Sequence, residues 1–138
     1  YKSNLGTMKT KNAVKESEKV ISAFEVKTPG TSTLATALSG RNQQKFVVGR
    51  ELEDDPSLLI ASQPTRGIDI GAQALIWEKL RKSRDEGLSV LLISADLEEL
   101  IGLSDRIIVF YQGKLVKELD AKNVTPEDLG GYMTGLKK

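Results

Sequence analysis

The sequence predicts an α/β fold: a mostly parallel sheet with flanking helices and a β-hairpin at its edge. Three observations carry this. Ser57-Leu58-Leu59-Ile60-Ala61-Ser62 and the run Leu88 to Ser94 (LSVLLIS) are short apolar stretches without alternation, the pattern of strands buried in a parallel sheet. Between them, Gly71 to Glu86 places Ala72, Ile76 and Leu80 on one helical face, and Gly87 ends the helix. A strand, a crossover helix and a parallel strand make one right-handed unit. Further on, Ile107 to Tyr111 and Lys114 to Leu119 flank Gln112-Gly113, a hairpin signal.

The remaining elements follow in chain order. The first thirty residues hold six lysines against three glutamates. From Thr10 to Phe24, Val14, Ser17, Ile21 and Phe24 fall on one helical face, with the lysines left to solvent. Thr28 to Ala37, with Pro29, Gly30 and several threonines, reads as loop. A helix is expected from Ser39 to about Glu53, stopped by Asp54-Asp55-Pro56. Asp96 to Leu103 reads as a short helix capped by Ser94 or Asp96. The last helix opens at Thr125-Pro126-Glu127-Asp128, a cap with proline in the first turn and an acid three residues on. Its expected apolar face is Leu129, Tyr132, Met133 and Leu136.

Composition narrows the chemistry. With 138 residues, 39% apolar and 28% charged, the chain has the make-up of one soluble domain or a large piece of one. A net charge of +1 gives no electrostatic case for nucleic acid. No cysteine means no disulfide, thiolate nucleophile or Cys-ligated zinc, and no histidine means no imidazole base or ligand. No apolar run approaches the roughly 18 residues of a membrane span, and no signal-peptide pattern is seen, so a cytoplasmic location is expected. A first residue of Tyr1 is what a fragment, tag removal or processing leaves.

The stretch Leu38-Ser39-Gly40-Arg41-Asn42-Gln43-Gln44-Lys45 is the most informative. Ser39 is a good N-cap, and Gly40 lets a ligand approach the backbone. The N-terminus of the helix presents unpaired N–H groups and a partial positive charge suited to an anionic phosphate. For a Ser-Gly pair alone, an ordinary capped helix is the better reading. The amides of Asn42, Gln43 and Gln44 add weight to a site, because that polar cluster has no packing reason evident in the sequence.

The order of parts then becomes specific. A polar Ser-Gly-x-Asn-Gln-Gln helix start precedes a buried strand ending at Pro64-Thr65, then Arg66-Gly67-Ile68-Asp69, a helix, a second strand, a short helix and a Ser104-Asp105-Arg106 step into a hairpin. This resembles the C-terminal part of an ATP-binding-cassette (ABC) ATPase domain, a P-loop NTPase fold. LSGRNQQK is similar to the family signature, usually LSGGQ, or LSGGNQQK in its sugar-importer branch. LLIASQPTRGID resembles the Walker B strand and D-loop, and LLISADLEELIGLSDRIIVFYQGK the switch-strand region and the sheet edge after it. The likeness runs from about Leu38 to Glu118 and is looser elsewhere. The branch it resembles is the second cassette of tandem-cassette ATPase subunits from bacterial sugar and nucleoside importers. By this likeness, residues 1–54 are a remnant of the helical subdomain with the signature helix, and residues 55–138 the C-terminal part of the RecA-like core.

Hydrolysis of a nucleoside triphosphate needs a phosphate cradle, a magnesium ligand, a residue that positions water, and positive charge at the γ-phosphate. The cradle is normally a Gly-rich loop ending Gly-Lys-Ser/Thr. Gly6, Gly30 and Gly40 are isolated, and none is followed by Lys-Ser or Lys-Thr. The resemblance implies that this loop, and the Gln that contacts the metal and couples to the permease, lie upstream. The Walker B pattern puts Asp-Glu before Pro-Thr; here those positions are Ser62 and Gln63, and the switch histidine position is Ala95. Glutamine cannot take a proton, and loss of a general base costs roughly 10²–10⁴ in rate. No catalytic residue is therefore intact, no metal ligand is identified, and Ser62 and Gln63 read best as polar strand-end residues.

The family signature acts in trans, closing over ATP and Mg²⁺ held by the opposite cassette. The resemblance thus assigns Ser39, Gly40, Arg41, Asn42 and Gln43 to the nucleotide and Asp69, the D-loop acid, to the dimer interface. Arg41 stands where the second glycine is usual, and the sequence leaves open whether it pairs with phosphate or obstructs it. The implied partners are the opposite cassette and transmembrane permease subunits, with no nucleic acid, on the cytoplasmic face of the membrane. The isolated segment is expected to be inactive and to self-associate through an exposed apolar flank. Alternatives are a non-catalytic scaffold and a soluble cassette ATPase of translation or repair. The transported sugar or nucleoside is not legible, because cassettes do not contact the cargo.

Overall fold

The computed structural model describes residues 10–53 and 56–137. The expected stop at Asp54-Asp55 and the expected boundary between 54 and 55 lie outside the described residues. The helices are α1 (Thr10–Ala23), α2 (Gly40–Glu53), α3 (Ile70–Asp85), α4 (Leu97–Leu103) and α5 (Pro126–Met133), and the strands β1 (Leu58–Ser62), β2 (Ser89–Ile93), β3 (Arg106–Tyr111) and β4 (Lys114–Asp120), in the order α1-α2-β1-α3-β2-α4-β3-β4-α5. The loop before α2 contains a single 3₁₀ turn, Ala35–Ala37.

By contacts the chain divides into two compact units. The first holds residues 10–53, 56–59 and 64–90, the second residues 60–63 and 91–137. This grouping keeps α3 with α1 and α2.

In the first unit the core is Val20, Phe24, Val26, Val48, Ala72, Ile76, Leu80 and Leu88. The expected α3 face is the observed one, with Ile76 fully buried. Asp69 caps α3 by accepting from the Ala72 N–H at 3.1 Å. Gly87, at φ +109°, ends it, and the Leu88 N–H turns back to the Ser83 carbonyl. The face of α1 differs from expectation. Phe24 is buried and Ser17 and Ile21 half-buried as expected, but Val14 is exposed and Val20 is buried in addition. The cause is Gly49 of α2. A Cβ at this position would lie 2.7 Å from both Val20 and Phe24, so the two helices approach through a residue without a side chain.

β1 and β2 pair. The Ser89 N–H bonds the Ser57 carbonyl at one end and the Gln63 N–H bonds Ile93 at the other, which fixes a parallel register. Their burial corrects the expectation of strands covered on both faces. Ile60 is 61% exposed and Leu91 52% exposed, with Leu58 and Ile93 similarly open, while Ala61 is buried. Along each run exposed residues alternate with more buried ones.

The second unit is built on the β3–β4 hairpin, which pairs antiparallel from Arg106↔Asp120 to Tyr111↔Lys114. Gln112 (φ +48°) and Gly113 (φ +75°) form the two-residue turn with both residues left-handed, as the Gln-Gly signal predicts. Among the described residues the hairpin forms its own two-stranded sheet rather than continuing the β1–β2 pair. Its inner residues Ile107 and Val109 pack with Leu100, Ala121 and Leu129. Asp96 caps α4 through the Glu99 N–H, and Thr125 caps α5 through the Asp128 N–H. Leu129 is fully buried and Tyr132 and Met133 partly so. Leu136 is 86% exposed because α5 ends at Met133 and Gly135, at φ +77°, turns the chain away.

Candidate functional site

The amino end of α2 is held from two sides by its own side chains. Residues three apart lie on one face of a helix, so Asn42 and Lys45 form one pair and Arg41 and Gln44 another. Asn42 Oδ1 accepts from the Lys27 N–H at 3.0 Å, and Lys45 Nζ reaches the Glu25 carbonyl at 3.4 Å; both side chains are buried. On the other side Gln44 Nε2 donates to the Pro64 carbonyl at 2.7 Å, and Arg41 Nε pairs with Asp69 Oδ2 at 2.6 Å. Gln43 folds its amide back onto the Leu38 carbonyl at 2.9 Å. The polar cluster that the sequence left without a packing reason therefore has one: every member ties α2 to its surroundings. The helical spacing of the pairs was the available signal. Their backbone partners at 25, 27 and 64 carry none in sequence.

Ser39 and Gly40 are left facing solvent. A Cβ on Gly40 would meet nothing within 4 Å, so the space over its backbone is open. The Ser39 carbonyl accepts from the Gln43 N–H at 2.9 Å, the first α-helical bond. The N–H groups before it have no intrahelical acceptor, as at any helix start. Ser39 Oγ accepts from Asn42 Nδ2 at 3.1 Å.

Asp69 serves two groups, with Oδ1 on the α3 backbone and Oδ2 on Arg41. The Ala72 N–H bond foremost, and the Arg41 charge behind it, hold its carboxyl below the usual carboxylate range, against a desolvation that pushes it up. The guanidinium of Arg41 is thus engaged within its own unit.

In the second unit, Ser62 is exposed at the end of β1, Gln63 is half-buried and Ala95 is exposed. Gln63 sits at φ +50°, a left-handed conformation that costs a non-glycine residue about 1–2 kcal/mol. A glutamine in this position carries no local signal of such strain. Ser62 and Gln63 offer no carboxylate, and among the described residues no group of three or more His, Cys, Asp or Glu side chains is placed to hold a metal ion. A serine hydroxyl and a glutamine amide at this strand end are poor magnesium ligands beside a carboxylate.

No protein-family model matches the chain. Curated relatives do. It is 44% identical over 133 residues to the guanosine import ATP-binding protein NupO of Bacillus subtilis, covering 96% of this chain and 26% of that protein. It is 47% identical over 120 residues to the glucose import ATP-binding protein TsgD13 of Haloferax volcanii, covering 86% and 22%. The chain thus spans about a quarter of the length of the relatives it matches. Among solved structures, a dimeric ATP-binding cassette in a post-hydrolysis state with ADP and Pi superimposes with TM-score 0.73 at 23% identity, over 88% of this chain and 52% of that one. A nucleotide-free cassette from an ABC transporter gives 0.70 at 19% identity, over 97% and 50%. These likenesses show the fold, and the curated relatives the lineage. Over nearly its whole length the chain belongs to the ATP-binding-cassette family, as a stretch homologous to part of the ATP-binding proteins of sugar and nucleoside importers.

Proposed function

We propose that this chain is the C-terminal portion of the ATP-binding subunit of a sugar or nucleoside importer, lending its signature to ATP held by an opposite cassette. In this reading Ser39 Oγ–H and the Gly40 N–H donate to the γ-phosphate, and the positive end of α2 adds favourable charge. ATP and Mg²⁺ are bound by the opposite cassette, and the permease subunits place both on the cytoplasmic face of the membrane. Arg41, Asn42 and Gln43 shape the same helix end, and Asp69 lies at the interface between cassettes. Residues 1–54 then belong to the helical subdomain and 55–138 to the core.

The single observation that supports this reading is the contrast between two places in the chain. Ser39 and Gly40 are exposed on a helix end held by four side chains, whereas Ser62, Gln63 and Ala95 carry no acid, base or metal ligand. One half-site is degenerate and the other is kept ready.

In the intact transporter, Ser39→Arg is expected to abolish transport, because a large cation displaces the two donors. Gln63→Glu is expected to change turnover little. Many-fold faster hydrolysis by Gln63→Glu would show that this half owns a working site and would refute the asymmetry. The 138-residue chain by itself is expected to show neither hydrolysis nor micromolar binding of Mg-ATP by calorimetry.

A further inference from the structure

We infer that Asn42 is a positioning residue that sets the direction of the Ser39 hydroxyl proton, a role that rests on the reading of Ser39 as a phosphate donor. The Lys27 backbone N–H can only donate, and it meets Asn42 Oδ1 at 3.0 Å. That bond fixes which way round the buried amide stands. Its Nδ2 group therefore faces Ser39, and at 3.1 Å Ser39 Oγ is the acceptor.

A hydroxyl has one proton and two lone pairs. With a lone pair taken by Asn42, the O–H of Ser39 points elsewhere, and no acceptor for it exists among the described residues. Ser39 is exposed and the space over Gly40 is open. The backbone at Lys27 thus orients an amide, and the amide holds the hydroxyl as a donor towards solvent. A donor oriented in advance needs no reorganisation when negative charge develops, and removal of one such donor typically costs about 10²–10³ in turnover.

The test compares Asn42→Asp with Asn42→Ala in the assembled cassette pair, with Ser39→Ala as reference. Asn42→Asp keeps the shape and the bond from Lys27, but its second oxygen accepts the Ser39 proton and turns the hydroxyl inward. Asn42→Ala removes both bonds and leaves the hydroxyl free to rotate. The expected order of kcat is wild type, then Asn42→Ala down about tenfold, then Asn42→Asp down about 10²-fold, level with Ser39→Ala. KM for ATP is expected to change little in each. Adding Ser39→Ala to Asn42→Asp is expected to cost nothing further.

A role in packing alone gives the reverse order, with the cavity-forming alanine the worse variant, and that order would overturn the inference. Thermal unfolding of each variant identifies any loss that comes from folding; should Asn42→Asp fail to fold, Asn42→Ala falling short of Ser39→Ala in effect while KM holds remains the expected result, and full activity in Asn42→Ala overturns it. If Ser39→Ala itself is fully active, the parent reading fails. If Ser39→Ala is crippled and Asn42→Asp is active, the parent reading stands and the assignment of Asn42 falls.

Discussion

Asp69 carries two structural duties on one carboxylate, and acid separates them. Its folded pKa is lowered, first by the Ala72 N–H bond and then by Arg41. A carboxylate with a folded pKa below its unfolded one contributes stability at pH values above the unfolded value, and this contribution is lost as pH falls through the folded value. Arg41→Gln removes the largest of the lowering influences that remain after the Ala72 bond, so the Asp69 carboxyl is expected to titrate at higher pH, and its share of stability to disappear earlier on acidification. A carbon-detected titration of the Asp69 side chain in both proteins measures this; superimposed curves would show the ion pair to be idle. The sequence offered Arg41 a choice between pairing with phosphate and obstructing it. The structure supplies Asp69 as a partner instead, 28 positions along the chain and invisible to local pattern. The same holds for Asn42, whose partner at Lys27 is a backbone group and leaves no trace in composition.

At the scale of elements, what was legible was what depends on local chemistry. The caps at Asp96 and Thr125, the Gln112-Gly113 turn and the Ala72-Ile76-Leu80 stripe are set by short-range geometry, and all stand where the pattern puts them. What was missed depends on neighbours. The α1 face takes in Val20 rather than Val14, and Val20 is where a glycine on α2 leaves room. Leu136 looked like a continuation of α5, but the left-handed Gly135 intervenes. The tight α1–α2 contact makes a sharp prediction. Gly49→Ala puts a methyl group within 2.7 Å of Val20 and Phe24 and is expected to destabilise the fold by about 1–3 kcal/mol, despite the higher helix propensity of alanine. Urea unfolding checks it, and a stabilised variant would mean that the helices part at little cost.

For the molecule as a whole, the burial of a parallel sheet is set by the layers around it, which a strand's own residues do not encode. LLIAS and SVLLI read as doubly covered strands, yet Leu58, Ile60, Leu91 and Ile93 remain open, as do Ile108, Phe110 and Leu115 on the hairpin. Exposed apolar area of this kind seeks cover. The isolated chain is expected to sediment as dimers or larger species at micromolar concentration, and Phe110→Lys to shift it towards monomer. A wild-type chain that stays monomeric over that range would contradict this. The uncovered faces also bear on how stability must be followed at the bench. An environment-sensitive dye that lights up on greasy surface will fluoresce with the native chain from the outset, blurring its thermal-shift trace, whereas the intrinsic emission of Trp77, the sole tryptophan, half-buried on α3, offers a cleaner clock for unfolding.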